Sequence, residues 1–283
     1  MAKERERQHG RRRTAVAAVL VAAGLCACVT GCAGGGAAAE DARGVSGAVG
    51  LLRHAADALR GAGSSRAATA MEMATGGTRV TIRGRGGYDF RRRLGRLRVT
   101  LPQDPTGLSE HRPITELLAP GALFMKNRGA GVPADKWVRV DTETLSDGNL
   151  VTGGATDPLT AAEVLCGTRS AVYLGRTDLE GTEVRHFRGI ADLAVAARGT
   201  PADGRAALRA AAEGFATARV PFDAYLDDQG RIRKLRQQFS FVNGHRRTPV
   251  AVASTTLLYD FGAPVDVRLP APGDIYAGRI ADE

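Results

Sequence analysis

Cys26, Cys28 and Cys32 crowd into the stretch "LCACVTGCAGGG" at 25–36 and make up three of the four cysteines in this 283-residue chain. Thiols so close together could ligate a metal, pair as disulfides or carry a thioether-linked group. Zinc would need a second ligand pair at suitable spacing, and downstream there are only Cys166 and the widely separated His54, His111, His186 and His245. No metal site and no cofactor is expected. Cys166, in "AEVLCGTRS", reads as a small buried apolar residue, with a reactive thiol as the less favoured alternative. The chain contains no G-x-S-x-G elbow, P-loop, dinucleotide fingerprint or H-E-x-x-H. Asp227-Asp228 is an acidic pair, but it falls at a turn, where Asp is expected for its local hydrogen bonding. No catalytic residue is assigned, and the chain is not expected to be an enzyme.

The neighbourhood of the cysteines decides their chemistry. Residues 1–13 carry six basic and two acidic side chains, and Thr14 to Ala39 carry no charge. A basic head followed by an apolar run ending in small residues is an export signal, although about 20 apolar residues could also span a bilayer. Val29-Thr30-Gly31-Cys32 resembles a bacterial lipobox, in which the cysteine thiol receives a diacylglycerol and the chain is cut just before it. Cys26 and Cys28 would leave with the signal, which also removes a disulfide framework. Cys28 stays open as a second, weaker lipidation site. The expected organisation is a signal peptide at 1–31, the lipidated Cys32 with a flexible tether through "AGGGAAAEDARG" to residue 45, and a single domain at 46–283.

Within the domain, Ser46 can cap a helix whose Leu52, Ala55, Ala56 and Leu59 share a face and which Gly61 and Gly63 end. Alternation then takes over, with Val80 and Ile82 against Arg79, Thr81 and Arg83, and Leu97, Val99 and Leu101 against Arg96, Arg98 and Thr100. Pro113 with Ile114, Leu117 and Leu118 reads as a short helix. "ALFMKN" and "KWVRVD" read as strands. Asp157-Pro158 or the box Thr160 to Glu163 opens a further helix. "AVYLG" and "EVRHFRG" form a hairpin. Thr200 and Pro201 start a helix bearing Leu208, Ala211, Ala212 and Phe215. "PFDAYLDDQGRIRKLRQQFSF" is a hairpin, and Leu257, Tyr259 and Phe261 mark the last strand. Many antiparallel strands with a few helices between them give an α+β domain, whose sheet has one wet and one dry face.

The formal charge is +9, and only four of the 39 basic residues are lysine. This is the composition a GC-rich genome produces, so arginine runs carry reduced information. "RGRGGYDFRRRLGRLR" is similar to arginine-glycine nucleic-acid segments, yet it alternates like a strand in a chain that reads as exported. A solvated sheet face is the favoured reading, and no nucleic-acid partner is expected.

The lipobox, the helix "LLRHAADALRGAGS", the pair "ALFMK" and "KWVRVD", the hairpin "PFDAYLDDQGRIRKL" and the closing "YDFGAPVDVRLPAP" together resemble the actinobacterial LppX/LprG-like lipid-carrier lipoproteins of the Lol-type lipoprotein-carrier superfamily. The resemblance implies a single curved antiparallel β-sheet, a half-barrel, covered on its concave face by a few helices, with an apolar cavity for acyl chains. The expected partners are a lipid or amphiphilic small molecule and, through the anchor, the outer face of the cell membrane. The lining residues expected from apolar strand faces are Val80, Ile82, Phe124, Val138, Val140, Val172 and Phe222. The alternative is an accessory or sensor lipoprotein that contacts a membrane protein or wall polymer and carries nothing. A Cys32→Ser chain is expected to lose metabolic acyl labelling, and unchanged labelling would refute Cys32 as the modified residue.

Overall fold

The computed structural model describes residues 46–75, 78–102, 112–152, 155–242 and 249–278. Residues 1–45, with the signal segment, Cys28, Val29, Thr30, Gly31, Cys32 and the tether, lie outside them.

A helical stretch at 46–53 passes through a turn at His54 into α1 (Ala55–Ala62). Leu52, Ala55, Ala56 and Leu59 are buried as their spacing predicts. Gly63, at φ +85°, ends the helix by donating its N–H to the carbonyls of Leu59 and Arg60, a conformation that favours glycine.

Eleven strands follow: β1 (Ser64–Thr75), β2 (Thr78–Asp89), β3 (Leu94–Thr100), β4 (Ile114–Ala119), β5 (Ala122–Lys126), β6 (Trp137–Asp141), β7 (Thr168–Leu179), β8 (Thr182–Asp192), β9 (Arg219–Leu226), β10 (Ile232–Val242) and β11 (Pro249–Tyr259). All pair antiparallel in one open sheet of order 6-5-4-3-2-1-11-10-9-8-7. The chain thus walks outward from β1 to one edge, crosses to the other edge and walks back until β11 lies against β1. The result is the curved half-barrel of an α+β domain. Besides the stretch at 46–53, four helices occur among the described residues, between strands or before them: α1, α2 (Pro158–Val164), α3 (Leu193–Gly199) and α4 (Ala202–Gly214).

The crossing from β6 to β7 passes under the concave face and carries α2, all seven of whose residues are buried. Of the two starts open in the sequence, Asp157-Pro158 is used: the Asp157 side chain accepts from the N–H groups of Leu159 and Thr160. Its other oxygen accepts from Tyr88 Oη of β2 at 2.9 Å, fixing the helix start to the sheet. α3 was not anticipated. It is short and alanine-rich, and Asp192 caps it by accepting from Val195 N–H. α4 begins one residue later than expected, and Thr200 is buried without capping it.

The expected helix at Ile114–Leu118 is strand β4. Ile114, Glu116 and Leu118 face the concave side, and Leu117 joins Ala122, Phe124 and Val267 on the other face. The C-terminal tail lies over that outer face, and Ile275 bridges Trp137 of β6. With both faces covered, the strand loses the apolar-polar alternation that would have revealed it.

One buried ion cluster joins the layers. Glu163 of α2, fully buried, accepts from Arg93 Nη1 at 2.6 Å and Nη2 at 3.1 Å, and pairs with Arg60 of α1. Asp203 of α4 stands 3.5 Å from Arg93. Gly204 makes room, because a Cβ there would lie 2.3 Å from Glu163 Oε2. Arg93 takes φ +53° in the β2–β3 turn, a left-handed geometry disfavoured for a side-chain-bearing residue, and the paired carboxylate offsets it. Glu163→Gln would leave two guanidiniums without their shared partner, so stability is expected to fall by about 3–5 kcal/mol. Urea unfolding measures this, and a loss below about 1 kcal/mol would refute the central role of the cluster.

Candidate functional site

The concave face between the sheet and its covering segments is the candidate site. Its floor is built by strand alternation: β1 offers Met71, β2 Ile82, β3 Leu97 and Val99, β5 Met125, β6 Val138 and β9 Phe222, all in one large apolar cluster. Of the residues expected to line a cavity, Ile82, Val138 and Phe222 are buried in this cluster, and Val80 and Val140 are half-buried against it. Phe124 and Val172 require correction. Phe124 faces the opposite side, under the tail with Leu117 and Val267. Val172 is 59% exposed on the edge strand β7. Alternation tells which residues share a face, but not which face is concave or whether a strand lies at the edge.

The feature that sequence reading missed is Glu116. Its register neighbours on β3 and β5 are Leu97 and Met125, which places a carboxyl on the apolar floor. It is fully buried, and neither oxygen has a hydrogen-bond partner among the described residues. Burial pushes its pKa up to about 8, against a pull downward from Arg128. At neutral pH it is therefore mainly the neutral acid, able to donate one hydrogen bond and accept others. The sequence signal is a glutamate in the run "ITELLA", but a helical reading of that run groups Ile114, Leu117 and Leu118 and gives Glu116 no place.

Two other polar groups on the same face are satisfied by the covering segment, whereas the buried Thr69 hydroxyl of β1, like Glu116, lacks a partner among the described residues. Gln237 Nε2 donates to the Ala161 carbonyl at 3.0 Å, and the Ser254 and Thr156 hydroxyls bond at 2.6 Å. These contacts hold the β6–β7 crossing to β10 and β11. Over β4 the carboxyl has no such counterpart among the described residues.

The remaining chemistry-bearing residues are scattered. His186 lies on the outer face, 2.7 Å from Asp223 and stacked on Tyr225 with ring centroids 4.2 Å apart. His54 is exposed, with Nδ1 2.9 Å from the Gly50 carbonyl. His111 and His245 lie outside the described residues. Among the described residues no three His, Cys, Asp or Glu side chains gather as a metal site. Asp227 staples its turn, accepting from the backbone N–H groups of Gln229 and Arg231 and from the Arg231 guanidinium. Cys166 is half-buried, its Sγ 3.5 Å from the Arg53 carbonyl, and burial pushes its pKa up, away from thiolate chemistry. Among the described residues no helix is long and apolar enough to cross a membrane.

In fold the chain is similar to LppX and LprF. The crystal structure of Mycobacterium tuberculosis lipoprotein LppX matches with a TM-score of 0.45 and 12% identity over 79% of this chain and 99% of that one. LprF from Mycobacterium bovis matches with a TM-score of 0.41 and 15% identity over 80% and 98%. A putative outer membrane lipoprotein-sorting protein domain from Vibrio parahaemolyticus matches with 0.32 and 10% identity over 77% and 93%. No family model matches the chain, and no curated protein does. The similar solved structures thus include the group that the sequence resembles, and at these identities the likeness is one of fold alone.

Glu116 makes stability depend on pH. Its folded pKa of about 8 lies above the ordinary 4.5, so the folded state holds the proton more tightly than the unfolded one. The associated stability is complete below the ordinary value and is lost as pH rises through about 8, with a limiting slope of about 1.4 kcal/mol per pH unit. Glu116→Gln is expected to flatten this slope and to raise stability at pH 8 by about 2–3 kcal/mol. Parallel unfolding curves for the two proteins across pH 5–8 (~3 units of the titration) would refute the shifted carboxyl.

Proposed function

We propose that this chain is an extracytoplasmic lipoprotein, anchored to the outer face of the cell membrane through Cys32, whose domain holds a lipid or other amphiphile against the concave face of the sheet and does no chemistry on it. The observation that carries the reading is Glu116, a fully buried carboxyl without a partner among the described residues, set in an apolar floor. A buried polar group is normally satisfied, and leaving one unpaired costs about 1–3 kcal/mol or more. An amphiphile would bring the partner that the carboxyl lacks among the described residues, an ester or hydroxyl, and apolar chains suited to its register neighbours Leu97 and Met125. Each Å² of apolar ligand surface buried there contributes about 25 cal/mol. The lipobox and the resemblance of the chain to lipid-carrier lipoproteins support the same reading.

A second reading, contact with a membrane protein or wall polymer, draws on the free edge of the sheet. β7 has no outer neighbour among the described residues, and Val172, Tyr173 and Leu174 on it are exposed, as is Ile190 on β8. The edge at β6, by contrast, is bridged by the tail.

Mass spectrometry of organic extracts separates the two. The exported chain from Ala33 onward is expected to carry a defined lipid in near-stoichiometric amount, relative to a control protein purified identically. A well-folded sample without lipid, co-purifying with one stoichiometric protein, would overturn the carrier reading in favour of the second.

A further inference from the structure

We propose that the crest of the convex face is a docking surface for an anionic lipid bilayer, with Arg66, Arg85, Arg96 and Arg98 as the headgroup-binding side chains. β1, β2 and β3 lie centrally in the eleven-strand order, so their outward side chains project from the crest. The four arginines, all exposed, line a groove of about 220 Å³ bordered by Pro264, Val265 and Asp266 of the tail. The register sets Arg85 directly opposite Arg98, a like-charge pair that is destabilising on its own. Gly87 lies between Arg66 and Arg96 in the ladder and is covered by the Val265 side chain, so these two guanidiniums flank the tail residue.

None of the four makes an ion pair among the described residues, and the one carboxylate at the rim, Asp266, stands 3.7 Å from Arg268 instead. On the β7–β10 side of the same sheet, Arg176 pairs with Glu183 and Asp228, Arg188 with Asp223, and Arg231 with Asp227. On that side the pairing is partial, since Arg169, Arg185, Arg219 and Arg236 make no ion pair among the described residues, whereas in the groove none of the four arginines is paired among them.

The surroundings favour a bilayer over a small soluble anion. Tyr259 faces Arg66 across the β1–β11 pair and is 40% exposed, and Leu269 in the tail is 46% exposed. Amphipathic and apolar side chains beside guanidiniums suit the headgroup layer, where each has a matching depth. The cations also span three strands, wider than one phosphate, whereas an anionic leaflet offers many headgroups at once. The surface is independent of any cargo on the concave side.

The test is partition of the full chain onto vesicles of phosphatidylglycerol with phosphatidylcholine, compared with vesicles of phosphatidylcholine alone. The variant R66Q/R85Q/R96Q/R98Q shares the N-terminal segment with the parent, so any difference belongs to the groove. Partition onto the anionic vesicles should fall about fivefold per arginine removed, with a shallower salt dependence. A control, R176Q/R188Q, removes two arginines that are paired internally and should lose less per arginine. The groove variant relieves a like-charge pair, so its thermal unfolding midpoint should not drop, which separates lost binding from lost folding. Equal partition of parent and groove variant would overturn the proposal, as would equal loss per arginine in the control. Displacement of the parent from vesicles by millimolar inorganic phosphate, at constant ionic strength, would assign the groove to a free anion and overturn the bilayer as its occupant.

Discussion

Glu163 sits where the chain has to solve its hardest problem. The sheet is made in two runs that meet at β1 and β11, so the segment between β6 and β7 must travel from one edge to the other across the concave face. A helix laid along that route is buried on all sides, and α2 is mostly apolar for that reason. Its single carboxylate would be prohibitive alone. Arg93 from the sheet and Arg60 from α1 neutralise it, and the three charges thereby set where α1, α2 and the β2–β3 turn stand relative to one another. Burial pushes the Glu163 pKa up while the arginines oppose it. Such a cluster fixes geometry more than it adds net stability.

From that fixed point the two faces of the sheet acquire different roles. Inward residues of β9–β11 meet the crossing segment, and their polar groups find partners on it, as Gln237 and Ser254 do. Inward residues of β3–β5 form a floor in which one carboxyl is left unmatched. On the outer face the tail covers β4–β6, uniting Leu117, Phe124 and Val267 in a second small core. Buried side chains with an atom lacking a partner among the described residues also include Ser65, Thr69, Asn149 and Thr200, and Glu116 is the one carboxyl among them.

The two charged features differ in kind. Glu116 is an acid in an apolar setting, neutral at pH 7 because burial opposes ionisation, and suited to uncharged polar groups. The convex arginines are solvated cations whose effect reaches about a Debye length and weakens with salt. They stand on opposite faces of one sheet and would suit partners of different chemistry.

By itself the sequence determined the α+β class, the strand-rich order, the one-faced first helix and the hairpins around Asp228–Gly230, because periodicities of 2 and 3.6 follow from local backbone geometry. It also supplied the lipobox reading, which depends on consecutive residues. Tertiary structure alone decided that Ile114–Ala119 is a strand, that Phe124 faces outward and that Val172 lies at an edge, because which face is covered depends on a tail more than a hundred residues away. It likewise decided the roles of neighbouring arginines in "RRRLGRLR": Arg93 turns in to Glu163 while Arg96 and Arg98 turn out. Residue type fixes what a side chain can do, but its partner is chosen by strands and helices that meet only once the chain has folded.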